Sequence, residues 1–163
     1  MRKWFIIGGS IIVALFVWLC ADIYHSSISA EKVDKGDISI LTKQYKLKNV
    51  EPISTYYGKK TYYIASGENE KGENVIAWVP EKAKKGDVIV RKKEGIISKE
   101  QVESIVKQDR NPQEIKSIRL AVSPNGKTPL WEVTYTDDEN RLTYYYVTTG
   151  SGDFYRRYSL TSS

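Results

Sequence analysis

One pattern occurs twice in this chain: a β-like run ending in valine, a turn holding Gly-Asp, and a second β-like run with paired basic residues. The first copy is NVIAWVPEKAKKGDVIVRKK (74–93) and the second is LTYYYVTTGSGDFYRRY (142–158). At an offset of 68 residues, Tyr63 falls on Trp131, Ala65 on Val133, Trp78 on Tyr146 and Val79 on Val147. Past a turn that differs by two residues, Gly86-Asp87 falls on Gly152-Asp153 and Val88 on Phe154. A chain that builds the same small unit twice is restricted to folds made of two such units.

Local signals give the content of each unit. In the first, Val33, Ile40 and Leu41 have a loose helical spacing over 30–44, weakened at Gly36 by about 1 kcal/mol relative to alanine. Hairpin signals then follow one another. Strands are expected at Val50–Tyr56, Thr61–Ser66, Val75–Val79 and Asp87–Arg91, the third closed by Pro80, which has no N–H to donate to a ladder. In the second, Ser98-Lys99-Glu100-Gln101 reads as a capping box. Val102, Ile105 and Val106 then supply one apolar face before Asn111-Pro112 ends the helix. Strands are expected at Ile115–Val122, Leu130–Thr136, Leu142–Val147 and Phe154–Tyr158. The expected fold class is α+β: two tandem modules over residues 30–93 and 96–158, each a helix packed on an antiparallel sheet of about four strands. Units of about 60–70 residues seldom bury enough core alone, so the two are expected to pack on each other.

Ahead of these modules, Trp4–Ala21 contains no charged residue. As a helix it would rise roughly 27 Å, close to the hydrocarbon thickness of a bilayer. Trp4 and Trp18 stand near its two ends, where amphipathic rings favour the interface, and Arg2 and Lys3 orient the N-terminus inward. The expectation is a cytoplasmic tail (1–3), a transmembrane anchor (4–24) and extracytoplasmic modules on a single-pass protein of the cell membrane. A cleaved signal peptide is the alternative, although its apolar region usually spans only about 7–15 residues. A lipoprotein signal at Cys20 is disfavoured by Leu19, where a small residue is wanted. Cys20 is the only cysteine, so the exported part can form no disulfide, which suits a bacterial envelope. Without Arg2, Lys3 and Asp22 the formal charge of +5 becomes +4. Outside a cell, that points to anionic lipid or wall polymer and not to nucleic acid.

The residues offer little for catalysis. His25 is the only histidine and follows the apolar run directly, away from any folded site that a Ser-His-Asp triad would need. One histidine and one cysteine cannot make a zinc centre, and no Gly-rich phosphate loop follows a strand. Ser104-Ile105-Val106-Lys107 fits S-x-x-K, the nucleophile element of penicillin-recognising enzymes. Its partner motifs are missing, since Lys127-Thr128 is followed by Pro129. No catalytic residue, metal or cofactor is assigned. Binding has more support: the chain holds 12 tyrosines and 4 tryptophans, residue types favoured as interface anchors. In Tyr144-Tyr145-Tyr146, alternation sends Tyr145 to the face opposite its neighbours. Lys84 and Lys85 lie on a lysine-rich hairpin turn. These five residues are the candidate partner-binding positions.

The W-x-V-x-Y strand at Trp131-Glu132-Val133-Thr134-Tyr135, placed after a helix and before more antiparallel strands, looks like a PepSY-type module. From the basic N-terminus through Ala77-Trp78-Val79-Pro80-Glu81 to Pro129-Leu130-Trp131, the chain resembles the YpmB/TseB family of Gram-positive bacteria over nearly its full length. The resemblance implies a membrane-anchored protein with two PepSY-like or cystatin-like units. It implies regulation of cell-wall elongation by contact with an envelope protein such as a penicillin-binding protein, and it brings no catalytic motif. Two alternatives stay open: a PepSY-type peptidase inhibitor or chaperone at the cell surface, and a sensor of wall fragments, which a concave aromatic pocket would favour.

Overall fold

Strand alternation gives both sheets two apolar faces, and the architecture follows from covering all four. The computed structural model describes residues 35–160, all within one compact unit, Val33–Ser163. Helix α1 (Lys35–Lys43) precedes strands β1 (Lys48–Tyr57), β2 (Thr61–Glu68), β3 (Asn74–Pro80) and β4 (Ile89–Lys92). After a 3-10 turn at Lys93–Gly95 come helix α2 (Lys99–Arg110) and strands β5 (Glu114–Val122), β6 (Pro129–Thr136), β7 (Leu142–Thr148) and β8 (Phe154–Leu160). Both sheets are antiparallel four-stranded meanders, ordered β1-β2-β3-β4 and β5-β6-β7-β8. The fold is α+β. The expected membrane anchor 4–24 with Trp4, Trp18 and Cys20, and also His25, lie outside the described residues. Among the described residues, no helix is long and apolar enough to cross a membrane.

The central strand pairs share a register. Tyr63 lies opposite Val79 in β2/β3 and Trp131 lies opposite Val147 in β6/β7, again at an offset of 68. Three apolar clusters fill the layers. Ile38, Leu41 and Leu47 cover Ala65, Ala77 and Val79 on one face of the first sheet. Val102 and Val106 of α2 cover Val133, Tyr135, Tyr145 and Val147 on one face of the second. A third cluster joins Tyr62, Ile64 and Trp78 of the first sheet to Leu120, Leu130 and Tyr146 of the second. The sheets therefore meet face to face, each backed by its helix, and the mutual packing expected for small units is supplied by this shared cluster.

Local devices hold the elements in place. Ser98 accepts from the Gln101 N–H at 3.2 Å while the Gln101 side chain accepts from the Ser98 N–H at 2.8 Å, a complete capping box. Asn111 closes α2 in the left-handed region, φ 44°. Asp137 shapes the β6–β7 turn, accepting from the Arg141 N–H and Nε at 2.9 Å each and from the Thr143 hydroxyl at 3.0 Å. Burial acts to raise its carboxyl, but these hydrogen bonds outweigh it and hold the group below its ordinary value. The strand expected from Asp87 begins instead at Ile89. Asp87 belongs to the turn, donating its N–H to the Lys84 carbonyl and accepting the Lys84 N–H on its carboxylate.

Candidate functional site

Antiparallel pairing sets the side chains of β7 against those of β6 and β8, and on one face this assembles a polar network inside an aromatic cleft. Arg119 of β5 lies opposite Glu132 of β6, Glu132 opposite Tyr146 of β7, and Tyr146 opposite Arg156 of β8. Glu132 is only 2% exposed. Its Oε1 accepts from Arg119 at 2.6 Å and its Oε2 accepts from the Tyr146 hydroxyl at 2.5 Å. Because the Tyr146 proton is committed to that carboxylate, Tyr158 donates to the Tyr146 oxygen across 2.8 Å. Burial, followed by the Glu132 hydrogen bond, pushes the Tyr146 phenol far above its ordinary value. Tyr56, facing the network from the first sheet, is raised by burial and by the Glu132 charge. Both phenols are therefore neutral donors at any physiological pH.

Around this network the two sheets leave a cleft of about 490 Å³. Tyr144 stacks on Tyr158 with ring centroids 5.1 Å apart, and Tyr158 also stacks near Tyr146 at 5.8 Å. Opposite them, Tyr56 and Gly58 form a wall on the first sheet. A Cβ on Gly58 would lie 2.6 Å from the Tyr56 ring, so glycine is what lets that ring lie over the turn. On β8 the register slips by one residue between Tyr146 and Val147, leaving Tyr155 unpaired. Consecutive strand residues normally point to opposite faces, but beside this bulge Tyr155 and Arg156 both line the cleft.

The sequence-derived binding positions divide. Tyr144 is half-buried at the cleft, and Lys84 and Lys85 are exposed on the β3–β4 turn. Tyr145 is 0% exposed, packed beneath α2 with Val102 and Val106. Tyr146 is 6% exposed, in the cluster between the sheets. Neither ring is a surface anchor, because both faces of this sheet are covered, one by α2 and the other by the first sheet. The exposed aromatics among the described residues are instead Tyr57, Phe154, Tyr155 and Tyr158, three of them on the edge strand β8. The bulge that turns Tyr155 leaves no mark in the sequence. Ser104 and Lys107 are exposed on α2, and Lys107 is paired with Glu103 at 2.7 Å. Among the described residues, no cluster of three or more His, Cys, Asp or Glu could hold a metal ion.

Comparisons with known proteins agree with one another. The family model described as the cell wall elongation regulator TseB-like domain matches residues 38–80. The chain is 32% identical over 148 residues to the "Probable cell wall elongation regulator TseB" of Bacillus subtilis (strain 168), covering 89% of each. Among solved structures, the YpmB protein from Bacillus subtilis matches with a TM-score of 0.69 at 28% identity, over 80% of this chain and 99% of that one.

Proposed function

We propose, on the premise that this chain belongs to the TseB-like family of cell wall elongation regulators, that it regulates elongation by contact and without catalysis. In this reading the segment 4–24 anchors the chain in the cell membrane, and the modules work outside it against an envelope protein such as a penicillin-binding protein. The anchor would hold both partners at one surface, where a raised effective concentration lets weak contacts suffice. We also read the two helix-plus-sheet halves as duplicates of one PepSY-like or cystatin-like unit, supported by their common element order and shared register.

The observation that carries the contact reading is the edge strand β8. Among the described residues its outer backbone has no strand partner, and Phe154 and Leu160 are 55% and 52% exposed. An open edge with large apolar side chains is a template for another chain, and Arg156 and Arg157 beside it discourage pairing between identical copies. Lys84 and Lys85 extend the candidate surface with charge.

Complementation of a deletion strain tests this. Ser104→Ala and Lys107→Ala should restore wild-type growth and shape, because an exposed serine whose lysine is paired with Glu103 lacks the partners of a nucleophile. Phe154→Glu, or charge reversal at Lys84 and Lys85, should reduce rescue in protein shown to be folded. Lost rescue by a folded Ser104→Ala variant, with normal behaviour of the surface variants, would replace the contact reading with an enzymatic one.

A further inference from the structure

The cleft carries charge at a place where the other half of the chain is apolar. In β2/β3, Ile64 lies opposite Trp78, and both are 0% exposed. The corresponding pair in β6/β7 is Glu132 opposite Tyr146. An apolar pair at this register therefore suffices to build such a sheet. Burying a carboxylate there costs desolvation that the Arg119 and tyrosine contacts must offset. The polar version also borders an open cleft, whereas Ile64 and Trp78 lie in closed core. Charge placed at this cost beside an open aromatic cavity is what a ligand site requires.

The lining specifies the ligand's chemistry. Tyr56, Tyr144 and Tyr158 supply rings and hydroxyls, and among the ionisable groups Lys59, Arg119 and Arg156 outnumber Glu132. A pyranose has C–H-lined faces that pack on aromatic rings and hydroxyls that meet phenols at its rim. Arg119 uses part of its guanidinium fork on Glu132, yet its side chain stays 44% exposed, leaving donors for an anion. The cavity also falls within the roughly 300–1,000 Å³ of small-ligand sites. At Gly58 and Lys59 it continues into a trough of about 800 Å³ bordered by Lys60, Lys82 and Lys127, so the ligand can be one unit of a longer anionic chain.

We infer that the inter-sheet cleft binds a saccharide bearing a carboxylate, stacked against the tyrosine wall with its acid between Arg119, Arg156 and Lys59. The test is calorimetric titration of the purified full-length chain in detergent. Three probes are compared: the acidic disaccharide N-acetylglucosaminyl-N-acetylmuramic acid, neutral di-N-acetylchitobiose, and a glycerol-phosphate oligomer. The acidic disaccharide should bind, and the neutral one should bind about tenfold or more weakly, the scale of one lost charge-assisted contact. Arg156→Ala and Tyr155→Ala, both exposed and outside the core, should each weaken the acidic disaccharide by about tenfold at an unchanged melting temperature. No binding of the acidic disaccharide, equal affinity for the neutral one, or preference for the phosphate oligomer would each overturn the inference. Partner capture plays no part in this titration, so the saccharide site and the contact function can fail separately.

Discussion

Replacing Trp78 with alanine is expected to destabilise the fold by about 3–5 kcal/mol and to melt both sheets in one transition. Trp78 is 0% exposed and belongs to the cluster shared by the two sheets, with Ile64 on its own side and Leu120 and Leu130 on the other. The cavity would therefore open in the layer that holds the halves together. Small domains are stable by only about 5–15 kcal/mol, so this is a large share of the total. Trp78→Phe should cost much less. The indole Nε1 is buried with no hydrogen-bond partner among the described residues, and losing an unpaired donor, worth about 1–3 kcal/mol, offsets part of the lost volume. Urea unfolding followed by circular dichroism measures both variants. Two separate transitions in Trp78→Ala would show that the sheets do not depend on their shared core.

Tyr145→Ala should be nearly as damaging, at about 3–5 kcal/mol. The ring is 0% exposed beneath α2, 5.2 Å from the Phe154 ring, with the Arg110 guanidinium 5.2 Å from its centroid. Its hydroxyl reaches Asp109 only across 3.3 Å, so Tyr145→Phe keeps the packing and should cost under about 1 kcal/mol. Tyr144→Ala, half-buried at the cleft, should fall between them. Thermal melts of the three variants rank them. If Tyr145→Phe matched Tyr145→Ala, the hydroxyl and not the ring would be holding the helix to the sheet.

Neighbouring tyrosines with such different costs show where sequence reading ends. Strand alternation in Tyr144-Tyr145-Tyr146 correctly separates Tyr145 from its neighbours, but periodicity does not say which face is covered. Here both are, one by α2 and the other by the first sheet, so a triplet that reads as a docking patch is mostly core. Hairpin signals, Pro80 and the Ser98 capping box act over a few residues, and the strands and helix they mark lie within a residue or two of expectation. Strand β4 is the one that starts late, at Ile89 and not Asp87, because Asp87 spends its carboxylate on the turn and no propensity records that competition. The buried Glu132 is hidden for a related reason. In an alternating strand it reads as a solvent-facing charge, and only pairing with Arg119 and Tyr146 across two neighbouring strands gives it an interior place.

The contact function is tested most directly by photocrosslinking in intact membranes. A photoreactive residue is placed at Phe154 or Lys84, and at Ser104 on α2 as the control. The account predicts a discrete adduct with an envelope protein, a penicillin-binding protein in the first instance, from Phe154 or Lys84 and none from Ser104. An adduct formed equally well from Ser104, or no adduct from β8 and the β3–β4 turn in folded protein, would contradict it.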